Sequence, residues 1–171
     1  MTGPREFFLT APPGLADLAV AEALAAGALE AREAAGGVRC TGSLETGYRL
    51  CLWSRVASRV LLKLAEFPAA SPDALYAGVR TIDWFAHVDP QGSIACDFAS
   101  AASQMTHSQY GAQKTKDAIV DQLREQTGSR PNVDTRRPDV RINVYVYRDV
   151  ATLGIDLAGE ALHRRGYRGA S

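Results

Sequence analysis

Apolar and polar positions along the chain recur with two different periods, and the switches between them outline a series of short elements. Phe7 to Ala11 is an apolar run stopped by Pro12-Pro13-Gly14, which predicts a strand. Asp17 to Ala28 is rich in Ala and Leu and favours a helix, although so many alanines blur the helical period. Ala28 to Ala35 and Val38 to Thr41 flank Gly36-Gly37, a hairpin pattern in which the glycine pair supplies the positive φ angles of a tight turn. Ser43 is placed to cap a helix through Trp53, with Leu44, Tyr48 and Cys51 or Leu52 on one stripe. Arg59 to Phe67 predicts a strand with Val60, Leu62 and Leu64 on one face. The order β-α-β-β-α-β is the split βαβ pattern of a ferredoxin-like unit.

Pro68 and Pro72 then punctuate the chain and predict a boundary near residue 69. Pro72 suits the first turn of a helix running to about Ile82. Ser93 to Ala99 alternates, with Ile94, Cys96 and Phe98 on one face. Ser108 or Gln109 opens the longest helix, which ends at Gly128 with Ala112, Ile119 and Leu123 on its apolar side. Asp139 to Arg148 is the clearest strand: Val140, Ile142, Val144 and Val146 face one way, and Arg141, Asn143, Tyr145 and Tyr147 the other. A tight turn around Asp149 leads to Leu153, Ile155 and Leu157, the matching face of an antiparallel hairpin. The fold class is therefore α+β, in two units. From Gly159 onward the chain has little apolar content and reads as a linker or an interaction arm.

Composition adds exclusions. The chain has 171 residues, with 19 Lys plus Arg and 19 Asp plus Glu, so it is no histone-like polycation. No apolar stretch approaches a membrane span, and MTGPREFFLTAPPG places Pro and charge where a signal peptide has its apolar region, so a cytoplasmic location is expected. Cys40, Cys51 and Cys96 are widely spaced and read as buried thiols rather than metal ligands. His87, His107 and His163 have no carboxylate at ligand spacing. Asp117 and Asp121 fall beside Lys114 and Arg124, the pattern of a solvated, charge-laced helix face. Gly111 to Thr115 superficially suggests a phosphate loop, but the two glycine positions that such a loop requires are occupied by Ser108 and Gln113. No glycine-rich cofactor loop, G-x-S-x-G or H-E-x-x-H occurs. No catalytic residue and no metal or cofactor site is expected in this chain.

What remains is basic and polar. Lys114, Lys116, Arg124, Arg130, Arg136, Arg137 and Arg141 outnumber the acids between residues 104 and 141 by two. The face carrying Arg141, Asn143, Tyr145 and Tyr147 alternates phosphate donors with stacking rings. The pattern alone slightly favours a different explanation, an amphipathic face packed on a helix.

The segments WSRVASRVLLKL (Trp53 to Leu64), SQYGAQKTKDAIVDQL (Ser108 to Leu123) and RPNVDTRRPDVRINVYVYRDVATLGIDLAGEALHRRGYR (Arg130 to Arg168), with the early Gly36-Gly37-Val38, closely resemble one family. It is the N-terminal region of the bacterial 23S ribosomal RNA guanine-N2-methyltransferases, often fused to a second rRNA methyltransferase. The resemblance implies a ferredoxin-like subdomain over residues 1–68 and a THUMP RNA-binding domain over 69–158, which a broader definition would start near residue 46. Residues 159–171 would begin a linker to a methyltransferase domain lying in cis in a larger parent protein. It implies S-adenosylmethionine for that parent and 23S rRNA or its precursor as partner, with no membrane. Candidate RNA contacts are Lys114, Lys116, Arg130, Arg136, Arg137, Arg141, Arg164, Arg165 and Arg168. Asn132 and Asp134 are expected to shape the loop entering the long strand. The alternative is a stand-alone protein-interaction or scaffold domain, and it would gain if the tyrosine-bearing face were buried. A small metabolite-binding enzyme of ferredoxin-like fold would need a polar pocket that the residue pattern does not reveal.

Overall fold

The computed structural model describes residues 3–159 and 161–162. They form two compact units: the first holds the chain up to Lys63 and again from Asp156, and the second runs from Leu64 to Ile155.

The first unit contains β1 (Arg5–Thr10), α1 (Ala16–Ala25), β2 (Glu30–Ala34), β3 (Gly37–Gly42), α2 (Leu44–Trp53) and the first half of β4 (Arg59–Pro68). The predicted β-α-β-β-α-β order is present. Its sheet runs β2-β3-β1-β4, and every pairing is antiparallel. Phe7 and Leu9 on β1, Val38 and Cys40 on β3, and Val60 and Leu62 on β4 alternate into one buried layer. The many alanines of α1 leave Ala19 and Ala23 as its buried residues, so the helix presents a thin face to the sheet.

Two local expectations change. Only Gly36 has positive φ, at 80°; Gly37 already pairs with Ala34 and Thr10. Gly37 is required for a different reason, because a Cβ there would stand 1.8 Å from the Leu9 carbonyl oxygen. Helix α2 is capped by Ser43, whose hydroxyl accepts the Thr46 N–H, but it turns Thr46, Gly47 and Leu50 inward. Tyr48 and Leu52 of the expected stripe are exposed. The Phe7 ring lies so close to Gly47 that a side chain there would clash, and this contact sets the helix rotation.

One ion pair is deep in this unit. Asp156 is buried, accepts a hydrogen bond from the Arg59 guanidinium, and takes the Ala158 N–H at 3.0 Å. The chain after Gly159 is not wholly peripheral: Leu162 is buried and its N–H donates to the Ser58 carbonyl.

The second unit contains the remainder of β4, then α3 (Pro72–Val79), a single 3-10 turn (Trp84–Ala86), β5 (Ser93–Ala101), α4 (Ser108–Thr127), β6 (Asn132–Val133), β7 (Val140–Tyr147) and β8 (Val150–Asp156). Its strands are ordered β8-β7-β5-β6, with β7·β8 antiparallel and β5 parallel to both β7 and β6. Parallel β5 and β7 require a crossover, which α4 supplies. α4 ends as expected at Gly128, in the left-handed conformation. α3 stops at Val79, short of Ile82, and the chain then turns inward to bury Trp84. The Trp84 indole N–H donates to the Val79 carbonyl, while the buried Gln122 of α4 accepts the Trp84 N–H and donates to the Arg80 carbonyl. Leu75, Val79, Ile119 and Leu123 from the helices meet Ile94, Phe98, Ile142, Val144 and Leu153 from the strands in one core. Both helices thus lie on the same face of this unit's sheet.

Candidate nucleic-acid interface

Strand alternation places Arg141, Asn143, Tyr145 and Tyr147 on the face opposite that core. Tyr145 and Tyr147 are 43% and 47% exposed. Their register neighbours are Ala99 and Ala101 on β5, and Thr152 and Val150 on β8, so small side chains surround both rings. The expectation that this face packs on a helix does not hold within the unit: α3 and α4 cover the other side.

The expected cations divide into two sets. On α4, Lys114 lies 5.7 Å from the Tyr76 ring and 6.0 Å from the Tyr110 ring, and Lys116 pairs with Asp117 at 2.7 Å. Their side chains are only 28% and 31% exposed. The acids of this helix are engaged as well: Asp121 accepts from the Tyr76 hydroxyl and from Arg124, and Glu125 pairs with Arg80, which holds the Glu125 carboxyl below its ordinary range. A charge-laced face is what the spacing predicted.

The second set lies between α4 and β7 and on β7 itself. Arg141 is 13% exposed, donates to both carboxylate oxygens of Asp97 at 3.3 and 3.1 Å, and donates to the Thr135 carbonyl at 2.8 Å. It therefore anchors the loop between β6 and β7. Asp134 Oδ1 accepts the backbone N–H groups of Arg136 and Arg137 at 2.8 and 3.0 Å, which lowers its pKa and shapes the same loop. Asp139 in turn accepts the Ser93 N–H and hydroxyl. Arg130, Arg136 and Arg137 are exposed, and among the described residues none of their guanidiniums makes an ion pair. Arg164, Arg165 and Arg168 lie outside the described residues.

The sequence reading missed Arg148. It sits with Asp149 at the two-residue tip of the β7–β8 hairpin, both in the left-handed region at φ 49° and 61°, with its guanidinium 5.2 Å from the Tyr147 ring centre. The Tyr-Arg-Asp run between two alternating strands was the available signal. Asp149 accepts the Ser103 hydroxyl and the Gln104 N–H, each at 2.8 Å, and these donors lower its pKa.

Elsewhere the chemistry is structural. A shallow groove in the first unit is lined by Glu22, Arg49, Trp53 and Ser54, but the Glu22 carboxylate is taken by the Ser54 hydroxyl and the Arg55 N–H. Burial raises the thiols of Cys40 to about 11 and Cys96 to about 12, which leaves both protonated and unreactive. Among the described residues no group of His, Cys, Asp or Glu is arranged to hold a metal, and no helix is long and apolar enough to cross a membrane.

A ferredoxin-like βαββαβ unit followed by an α+β unit with an α4 crossover defines the class of this chain as a two-unit α+β protein. Residues 69–156 match the THUMP domain, and the chain belongs to that family; residues 6–61 match the RlmL ferredoxin-like domain. The Ribosomal RNA large subunit methyltransferase K/L of Methylococcus capsulatus is 52% identical over 164 residues, which is 96% of this chain and 22% of that protein. Its counterpart in Syntrophotalea carbinolica is 49% identical over 98% of this chain and 24% of its own length. The chain thus spans about a quarter or less of the curated relatives it matches. A solved Listeria monocytogenes structure, described as a predicted N6-adenine-specific DNA methylase, superposes with a TM-score of 0.86 at 25% identity, covering 99% of this chain and 44% of that one.

Proposed function

We propose that this chain is the RNA-docking region of a larger S-adenosylmethionine-dependent methyltransferase that modifies guanine N2 in 23S rRNA. The observation that carries the reading is the 52% identity to an rRNA large subunit methyltransferase across nearly the whole chain, confined to less than a quarter of that relative. The resemblance drawn from the sequence motifs supplies the guanine-N2 target and the cofactor. A solved neighbour, SMU.472, was crystallised with SAH and superposes at a TM-score of 0.85, which supports S-adenosylmethionine for a parent protein. The cofactor chemistry belongs to that parent's catalytic domain; the role of the residues described here is to hold RNA.

Net charge is zero, so binding must come from local placement of cations rather than from bulk charge. Arg130, Arg136 and Arg137 are the residues available for phosphates, with Arg141 acting through the loop it anchors. The two domain matches support a division near residues 61–69, with the candidate surface in the second part. Titration of the chain with structured 23S rRNA fragments across a salt series tests the reading. Binding at low salt with a clearly negative slope of log affinity against log salt is expected. No binding at low salt, or a slope near zero, would sink it.

A further inference from the structure

We propose that the uncovered face of β7, together with the 148–149 hairpin tip, is a stacking platform for unpaired nucleotides, with Tyr145 and Tyr147 each taking one base. The inference rests on the RNA-docking reading and names the surface and the form of RNA it accepts.

Three observations carry it. The first is the floor. Residues two apart on a strand stand about 7 Å apart on the same face, and both rings are bordered in register by Ala99, Ala101, Thr152 and Val150. No tall side chain from these neighbours screens the rings, so Tyr145 and the face of Tyr147 that Arg148 does not cover are available to planar bases. A partner protein would seek a broad aliphatic surface, and Val150 is the only aliphatic side chain larger than alanine among these neighbours.

The second is charge at both ends. Arg148 lies against the Tyr147 ring at one end of the strand. The Arg136–Arg137 loop is tied to Arg141 at the other end, about 20 Å away along the strand. Of the acids near this face, Asp97 is paired with Arg141, while Asp149 stays ionised and is turned toward the Ser103 hydroxyl and the Gln104 N–H. Arg148 at one end of the strand and Arg136 and Arg137 at the other supply cations for a phosphate backbone passing over two stacked bases.

The third is the backbone of the tip. A two-residue hairpin turn with both residues at positive φ normally uses Asn-Gly or a similar pair, yet Arg and Asp stand there. Asp149 is secured by three hydrogen bonds to Ser103 and Gln104, the third from the Gln104 side-chain amide at 3.2 Å. The Arg148 N–H also donates to the Ala101 carbonyl. The fold thus maintains an unfavourable local conformation that sets an arginine beside an exposed tyrosine, the kind of local cost found at ligand-holding sites.

The test compares a short unstructured RNA oligonucleotide with a blunt duplex of the same sequence, using fluorescence anisotropy on the full chain. Tyr145→Ala and Tyr147→Ala should each weaken single-strand binding by about 5- to 150-fold, the range measured for a base stacked on an aromatic ring. Tyr→Phe at either position should stay within about twofold, because stacking needs the ring and not the hydroxyl. Duplex binding and the melting temperature should remain near wild type in every variant. If the alanine variants bind the single strand as wild type does, the platform is wrong while RNA docking stands. If the phenylalanine variants fail as badly as the alanine variants, the hydroxyls matter and stacking is overturned. If wild type binds neither RNA, both readings fall. If the chain self-associates in sedimentation and the double alanine variant does not, the face docks a second copy instead, and the proposal is overturned.

Discussion

Helix α4 and the loop between β6 and β7 carry similar cations within one short stretch of chain, yet the structure treats them differently. The lysines of α4 are held by tyrosine rings and a neighbouring carboxylate, whereas Arg136 and Arg137 form no ion pair among the described residues. The difference originates in the backbone. A long helix places acids three and four residues from its bases, so its charges tend to satisfy one another. The loop spends Asp134 on its own N–H groups and leaves the guanidiniums outside. A cation's position in the hydrogen-bond economy, more than the local charge count, decides whether it can meet an external phosphate.

The contrast can be broken most forcefully by unseating α4. Gly111 lies against Phe98, and a Cβ there would come within 2.6 Å of the ring, so Gly111→Val should destabilise the second unit by about 1–3 kcal/mol in chemical denaturation. A wild-type midpoint in that variant would show that the helix is not seated as described. The next effect is on binding. Arg136→Ala with Arg137→Ala should lower the salt slope for single-stranded RNA by roughly 0.7 per residue removed, while Lys116→Met should leave it unchanged. An equal loss from the lysine would erase the distinction.

Arg141 sharpens the comparison from inside the second region. Arg141→Met leaves Asp97 partly exposed and the Thr135 carbonyl unbonded, so a loss of about 1 kcal/mol is expected. Faster amide exchange should then appear in the 134–139 loop; unchanged exchange would remove Arg141 from its anchoring role. The smallest effect is acid release of the same loop. The Asp134 pKa is depressed by the two N–H donors, so its contribution is present above the ordinary Asp value of about 3.9 and is lost as pH falls through the lower folded value. The Arg136 and Arg137 amides should stay protected at mildly acidic pH and lose protection only below that value, and loss near pH 5 would contradict the geometry.

Both units' element orders were legible because period-2 and helical patterns are local properties of the chain. The alternation of β7 even separated the two sides of the sheet correctly. What failed was non-local or depended on an absent side chain. The inward face of α2 is set by Gly47 against Phe7, and hydrophobicity scoring gives weight only to side chains that exist. The Trp84 turn and the two-residue β6 are too short to carry a period. The α4 cations and the β7 arginine share one sequence window, but the crossover puts the sheet between them. The pairing of Arg141 with Asp97 spans 44 residues, and no local pattern announces it.

The buried ion pair of the first unit has a consequence for the order in which the molecule is made. Arg59 emerges early in synthesis, but Asp156 lies 97 residues further along. A nascent chain ending anywhere in the second unit therefore holds a first unit whose arginine has no carboxylate to meet. Vectorial folding, in which an N-terminal domain closes before its successor is translated, can order the first unit's own strands and helices but leaves this ion pair unformed. The pair closes last, after the segment that interrupts the unit has been delivered.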